Sequence, residues 1–191
     1  MLYTLPNLLT LSRILVIPIL CAAFWLPRPW NDGIALGMFL AAGITDWADG
    51  HLARRLGQMS ELGRFLDPVA DKLLVAAAIL MLVAFGRIEG FSILAAVVIM
   101  CREIMVAGLR EFLAEIRVKV PVSRLAKWKT TVQMVALAFL LASDLPPPWT
   151  KAPEIGIGLL WLAALLTLYT GYDYMQSGLK HMTAIDEQRK G

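Results

Sequence analysis

The feature that most constrains this chain is the length of its uncharged stretches. Residues 155–172 carry no charged side chain, and neither do residues 73–85 or 91–101. A helix needs about 20 predominantly apolar residues to cross the hydrocarbon of a bilayer. Overall 58% of the 191 residues are hydrophobic and only 17% are charged, against roughly a quarter charged in a soluble domain. The apolar residues come in six blocks, near 8–25, 34–53, 65–85, 91–113, 125–142 and 155–175. Backbone amides in lipid must be satisfied within the segment, so continuous runs of this kind predict helices. A transmembrane barrel would need alternating strands instead. The expected fold is an all-α integral membrane protein of six transmembrane helices, forming a single domain over residues 1–191. Gly and Pro mark the connections, as in "GRIEG" and "SDLPPPW".

The start of the chain has no basic region or small-residue cleavage site of the secretory type, so it is read as the first helix. The leading "MLYTLPN" is read as a short amphipathic piece. Cys21 and Cys101 fall in apolar runs without a partner at metal-site spacing and are read as packing residues. His51 and His181 likewise lack ligand spacing.

Basic residues set the orientation. With six spans, one side collects Arg54, Arg55, Arg64, Arg110, Arg117, Lys119, Arg124, Lys127, Lys129, Lys180, Arg189 and Lys190, while the other has Arg28, Arg87 and Lys151. The positive-inside rule places the first group and both termini in the cytoplasm. Trp25, Trp30 and Trp149 fall near the opposite face, as an interfacial belt would. Anionic lipid is the expected partner of the basic loops, and no nucleic-acid partner is expected.

Four aspartates stand out at the cytoplasmic ends of the second and third segments. Asp46 and Asp49 are three apart, and Asp67 and Asp71 are four apart, so each pair shares a helical face. A short turn separates the pairs, which predicts that the second and third helices are antiparallel neighbours and that the carboxylates converge. Four anions in a low-dielectric setting repel strongly without compensation. Hard oxygen donors suit Mg2+ or Mn2+, and the expectation is a metal site with two ions. Ordinary helix-end charges paired with Arg54, Arg55 and Lys72 are the plainer alternative. Gly50 sits inside the helical run, where Gly costs about 1 kcal/mol relative to Ala; such a site suits close approach of a ligand to the backbone. Gly63 fits that role or a simple turn.

The pattern Asp46-x2-Asp49-Gly50-x2-Ala53-Arg54-x8-Gly63-x3-Asp67-x3-Asp71 resembles the signature of the CDP-alcohol phosphatidyltransferases. All eight positions occur in order and at the family's spacing. The stretches "PNLLTLSRI", "FLDPVADKLL", "CREIMVAGLREF" and "AKWKTTVQMVALA" are similar to bacterial members that use sn-glycerol 3-phosphate. Ala126 departs from the Gly expected there. The resemblance implies a multi-pass protein of the bacterial inner (cytoplasmic) membrane, a homodimer, that joins CDP-diacylglycerol to sn-glycerol 3-phosphate. It implies Asp46, Asp49, Asp67 and Asp71 as metal ligands, with Asp71 also the general base. It further implies Asn7, Thr10, Arg13, Asp49, Gly50, Arg54 and Gly63 toward CDP-diacylglycerol. Arg110, Lys127 and Lys129, with Arg102 and Arg124 behind them, are the candidates for the acceptor phosphate.

Several of these residues have plainer readings. Asn7, Thr10 and Arg13 also suit a helix start with a snorkelling arginine. The basic loop also suits topology alone. Arg102 lies within the fourth segment beside Glu103, where ionisable groups are costly; a functional role and a structural pair both fit. Two other functions fit parts of the pattern: the same chemistry with inositol phosphate, serine or phosphatidylglycerol as acceptor, or a divalent-cation transporter. Transporter sites lie near the bilayer midplane, and these aspartates do not.

Overall fold

The computed structural model describes residues 5–56, 61–116, 118, 124–145 and 151–190. The side chains at 5–9, 47–56, 61, 62, 64, 124, 181 and 183–190 fall outside that description. Six helices follow one another: α1 Leu5–Ala23, α2 Trp30–Leu56, α3 Glu61–Ala84, α4 Ser92–Glu115, α5 Arg124–Leu141 and α6 Ala152–Lys190. All regular secondary structure among the described residues is helical. The six expected segments therefore form as helices, with differences at their ends. α1 already begins at Leu5 and takes in Pro6 and Asn7 of the leading piece, whose residues 1–4 lie outside the described residues. α6 continues to Lys190, well past the end of its apolar run near 175. Its tail, "QSGLKHMTAIDEQRK", is polar but holds many good helix formers and no proline.

Among the described residues, α4 and the Ala152–Lys180 part of α6 are long and apolar enough to cross a membrane. Large apolar side chains are exposed along every helix, including Leu15, Ile44, Phe65, Leu80, Ile104, Trp128 and Leu165. So much apolar surface would be a liability in water and is the natural face toward lipid. The chain is an all-α membrane protein. Trp25 and Trp30 are both strongly exposed; Trp149 lies outside the described residues. Cys101 is exposed and Cys21 half-buried, so neither is a fully buried packing residue.

The chain divides into two compact units. The first holds residues 1–89 and 137–157, and the second residues 90–136 and 158–191. In the first, α1 packs extensively against both α2 and α3, while α2 and α3 make few contacts with each other. Among the described residues α2 and α3 touch, as the sequence expects of neighbours, and α1 makes the larger contact with each. Buried alanines (Ala23, Ala35, Ala42, Ala70, Ala78) line this core beside Leu20, Phe39, Leu74 and Leu82. Small side chains allow the close helix approach that dispersion rewards in lipid.

A second feature of this unit lies at the other ends of the helices. α3 stops at a Schellman turn. Gly86 takes φ 69°, the Gly86 amide donates to Val83 O at 3.1 Å, and the Arg87 amide donates to Leu82 O at 2.8 Å. Only glycine adopts that backbone without cost. The turn delivers Arg87, which pairs with the fully buried Asp32 of α2. The Arg87 guanidinium also donates to Leu141 O at 3.2 Å and to Leu140 O at 3.4 Å, closing the end of α5. Asp32 Oδ2 accepts the Asp144 amide at 2.9 Å. Arg28 pairs with Asp144 at 3.1 Å.

In the second unit the core is Ala95, Ala96, Ile99, Val106, Leu113, Ala136, Leu160, Ala163 and Ala164. Phe91 stacks on Trp161, with ring centroids 5.4 Å apart.

Candidate active site

The aspartates are held from α1. Thr10 and Arg13 are three residues apart on that helix, so they share a face, and both are almost wholly buried. The Thr10 hydroxyl donates to Asp67 Oδ1 at 2.5 Å. Arg13 donates through one terminal nitrogen to Asp46 Oδ1 at 2.6 Å. One helix face thus anchors a carboxylate from α2 and a carboxylate from α3, which follows from α1 packing against both. Asp67 is exposed, Asp71 is half-buried, and the Asp46 side chain is 49% exposed. Lys72 donates to the Pro68 carbonyl at 3.3 Å.

Each anchored carboxylate is fixed through Oδ1 while the group as a whole faces solvent. Outer partners of this kind orient carboxylate ligands at metal sites. An exposed, oriented pair of hard oxygen donors fits a divalent cation such as Mg2+ or Mn2+. Among the described residues, no three His, Cys, Asp or Glu side chains gather closely enough to hold an ion. The side chains of Asp49, Gly50, Arg54 and Asn7 are outside the described residues, so the fourfold convergence expected from sequence concerns one member that is not described. Gly63 is buried near the start of α3.

The second unit gathers the other candidates around α4. Glu103 Oε1 accepts from Lys129 of α5 and, at 3.2 Å, from Arg102. Arg102 donates through its other terminal nitrogen to the Thr170 hydroxyl of α6 at 3.2 Å. Lys129, Arg102 and Thr170 are each buried. Gly171 leaves the space that the Arg102 stem occupies: a methyl group there would lie 3.0 Å from Cγ and 3.3 Å from Nε. Arg102 also lines an apolar groove of about 350 Å³, together with Val98, Met105, Leu168, Tyr172 and Met175. Arg110 is exposed and lies 6.0 Å from the ring centre of Tyr174. Lys127 is exposed, and the Arg124 side chain is outside the described residues. Tyr169 and Tyr172 are exposed, as an interfacial pair would be.

Comparison with known proteins decides the family. The model of the CDP-alcohol phosphatidyltransferases matches residues 3–169. The chain belongs to this family. Among its relatives, the CDP-diacylglycerol–glycerol-3-phosphate 3-phosphatidyltransferase of Shigella flexneri is 44% identical, over 92% of this chain and 94% of its own length. The protein of the same name from Pseudomonas fluorescens is 43% identical over 93% and 91%. That from Rickettsia felis is 41% identical over 93% and 96%. As a phosphatidyltransferase-family chain, it carries the whole signature on α2 and α3, the two helices that α1 anchors.

Sequence reasoning singled out Thr10, Arg13, Asp46 and Asp67 but did not pair them. It missed Asp32 and Asp144 altogether, and it weighed Glu103 only as a neighbour of Arg102. The available signal was the same in each case. A carboxylate within or at the end of an apolar helix must find a cation or donor, yet sequence does not say which helix supplies it.

Proposed function

We propose that the chain transfers the phosphatidyl group of CDP-diacylglycerol to sn-glycerol 3-phosphate, giving phosphatidylglycerol phosphate and CMP. The observation that carries this is the near-full-length similarity to relatives of that name. The anchoring of Asp46 and Asp67 by Arg13 and Thr10 supports it.

Chemistry at a diphosphate is mainly positioning and charge neutralisation. In this reading Asp46, Asp49, Asp67 and Asp71 hold two divalent cations, which when bound would neutralise the diphosphate and the leaving CMP. Thr10 and Arg13 keep the carboxylates in place. Asp71 accepts the proton of the acceptor hydroxyl. The hydroxyl oxygen bonds to the phosphorus that bears diacylglycerol, and the bond from that phosphorus to the CMP oxygen breaks, its electron pair leaving with CMP. Gly50 admits the cytidine to the α2 backbone, with Asn7, Arg54 and Gly63 around the nucleotide. Arg110, Lys127 and Lys129, with Arg102 and Arg124, meet the acceptor phosphate. The site faces the cytoplasm, where the basic loops lie, and the chain works as a homodimer in the bacterial inner membrane.

The test is an acceptor panel. Purified protein in mixed micelles with CDP-diacylglycerol and Mg2+ receives glycerol 3-phosphate, inositol phosphate, serine or phosphatidylglycerol, and CMP is measured. Release with glycerol 3-phosphate alone is expected. Release only with another alcohol would reassign the acceptor, and cation uptake by proteoliposomes without any CMP would favour transport.

A further inference from the structure

The cation proposed to meet the acceptor phosphate is itself held by an anion. Lys129 is only 4% exposed, and its ammonium donates to Glu103 Oε1. The same oxygen accepts from Arg102 at 3.2 Å. Arg102 is tied in turn to Thr170 at 3.2 Å and packed against the bare backbone of Gly171. α5 therefore reaches the α4 carboxylate directly, and α6 is joined to it through Arg102. Two cations against one anion leave the trio one charge positive, which suits a site that receives a phosphate.

We infer that Glu103 is a positioning residue for acceptor recognition, setting the Lys129 ammonium beside Arg102 without itself touching substrate. The inference rests on the reading of Lys129 as an acceptor-phosphate ligand. The physical reason is like-charge repulsion in a low-dielectric setting. Lys129 and Arg102 share Oε1, so removing the charge of Glu103 takes away the carboxylate that lies between two buried cations and leaves their repulsion less screened. Arg102 is pinned by Thr170 and confined by Gly171. The lysine, a point charge on a flexible stem, is the partner that moves. The acceptor then loses one charge-assisted contact, while the aspartates, held from α1 in the other unit, keep theirs.

Steady-state CMP release, with glycerol 3-phosphate varied at saturating CDP-diacylglycerol, is measured for Glu103→Gln, Lys129→Ala and the double variant. Loss of one hydrogen bond to a charged group corresponds to about 10- to 100-fold in KM. Both single variants are expected to raise the KM for glycerol 3-phosphate by about that factor, with kcat and the KM for CDP-diacylglycerol within about 3-fold. The double variant should match Lys129→Ala, because Glu103 acts through that lysine. Glu103→Asp, which keeps the charge one methylene shorter, should recover part of the loss, and it serves in place of Glu103→Gln if that variant does not yield monodisperse protein. Effects of Glu103→Gln and Lys129→Ala that multiply in the double variant would overturn the inference. So would an unchanged or lowered KM in Glu103→Gln when Lys129→Ala raises it; that outcome would leave the assigned reaction standing. An unchanged KM in Lys129→Ala would remove the lysine from acceptor binding and the inference with it, again without touching the reaction, which the acceptor panel tests separately.

Discussion

Replacing Thr10 by valine removes one oxygen and keeps the shape of the side chain. The lost hydroxyl donates to Asp67 Oδ1 at 2.5 Å from a position that is 1% exposed. Two costs can be separated. The first is stability. Asp67 is exposed, so water replaces the hydroxyl at the carboxylate, and the change should stay near the net worth of an ordinary hydrogen bond, about 1 kcal/mol. For a chain of this size that is a shift of about 2–4 °C in melting temperature. The second cost is orientation. Partners that fix a metal-ligating carboxylate are worth about 10- to 100-fold in metal affinity or activity when removed. Thr10→Val should therefore raise the Mg2+ concentration for half-maximal CMP release, or lower kcat, by about 10-fold or more, while the protein melts almost normally. The assay is CMP release against Mg2+ in mixed micelles, beside a thermal melt of the same preparation. Wild-type Mg2+ dependence together with wild-type kcat would refute the claim that α1 organises the aspartates.

The remaining predictions concern the rest of the site and the opposite helix ends. Asp67→Ala and Asp71→Ala should each abolish CMP release, and excess EDTA should do the same to the native protein; full activity in either variant removes the role assigned to that residue. Lys127→Ala should raise the KM for glycerol 3-phosphate about 10-fold, and a change confined to the KM for CDP-diacylglycerol would assign this exposed lysine to the other substrate. Arg87→Ala strips the buried Asp32 of its cation and the end of α5 of its donors, so it should cost about 3–5 kcal/mol. The double variant Asp32→Leu with Arg87→Met should recover much of that loss, because a buried pair replaced by apolar groups is close to neutral. Equal melting temperatures for Arg87→Ala and the native protein would show that the pair carries no stability.

The helices were legible because lipid leaves the backbone few choices. Uncharged runs of spanning length must be helical, and Gly86 marked the stop after α3 as its φ of 69° requires. The end of α6 was not legible, since hydropathy reports where lipid ends and a helix can run on through polar residues into water. Nor was the packing order of the first three helices. The short link between Leu56 and Glu61 suggested that α2 and α3 are neighbours, and they touch among the described residues, but nothing in the spacing showed that α1 makes the larger contact with each. The same gap explains the site. Spacing placed Asp46 with Asp49 and Asp67 with Asp71, whereas the donors to two of them come from 33 and 57 residues away. Spacing gave Lys129 only as an acceptor-phosphate candidate at the start of α5, and its burial against Glu103 depends on how α4 and α5 pack.

The central claim is that an acceptor hydroxyl, relieved of its proton at Asp71, displaces CMP from the phosphorus bearing diacylglycerol. Glycerol 3-phosphate carrying oxygen-18 in its primary hydroxyl tests it most directly, with mass spectrometry of both products. Label retained in phosphatidylglycerol phosphate and absent from CMP is the predicted result, with no labelled lipid formed by Asp71→Asn. Label appearing in CMP, or a labelled lipid formed at the native rate by Asp71→Asn, would contradict it.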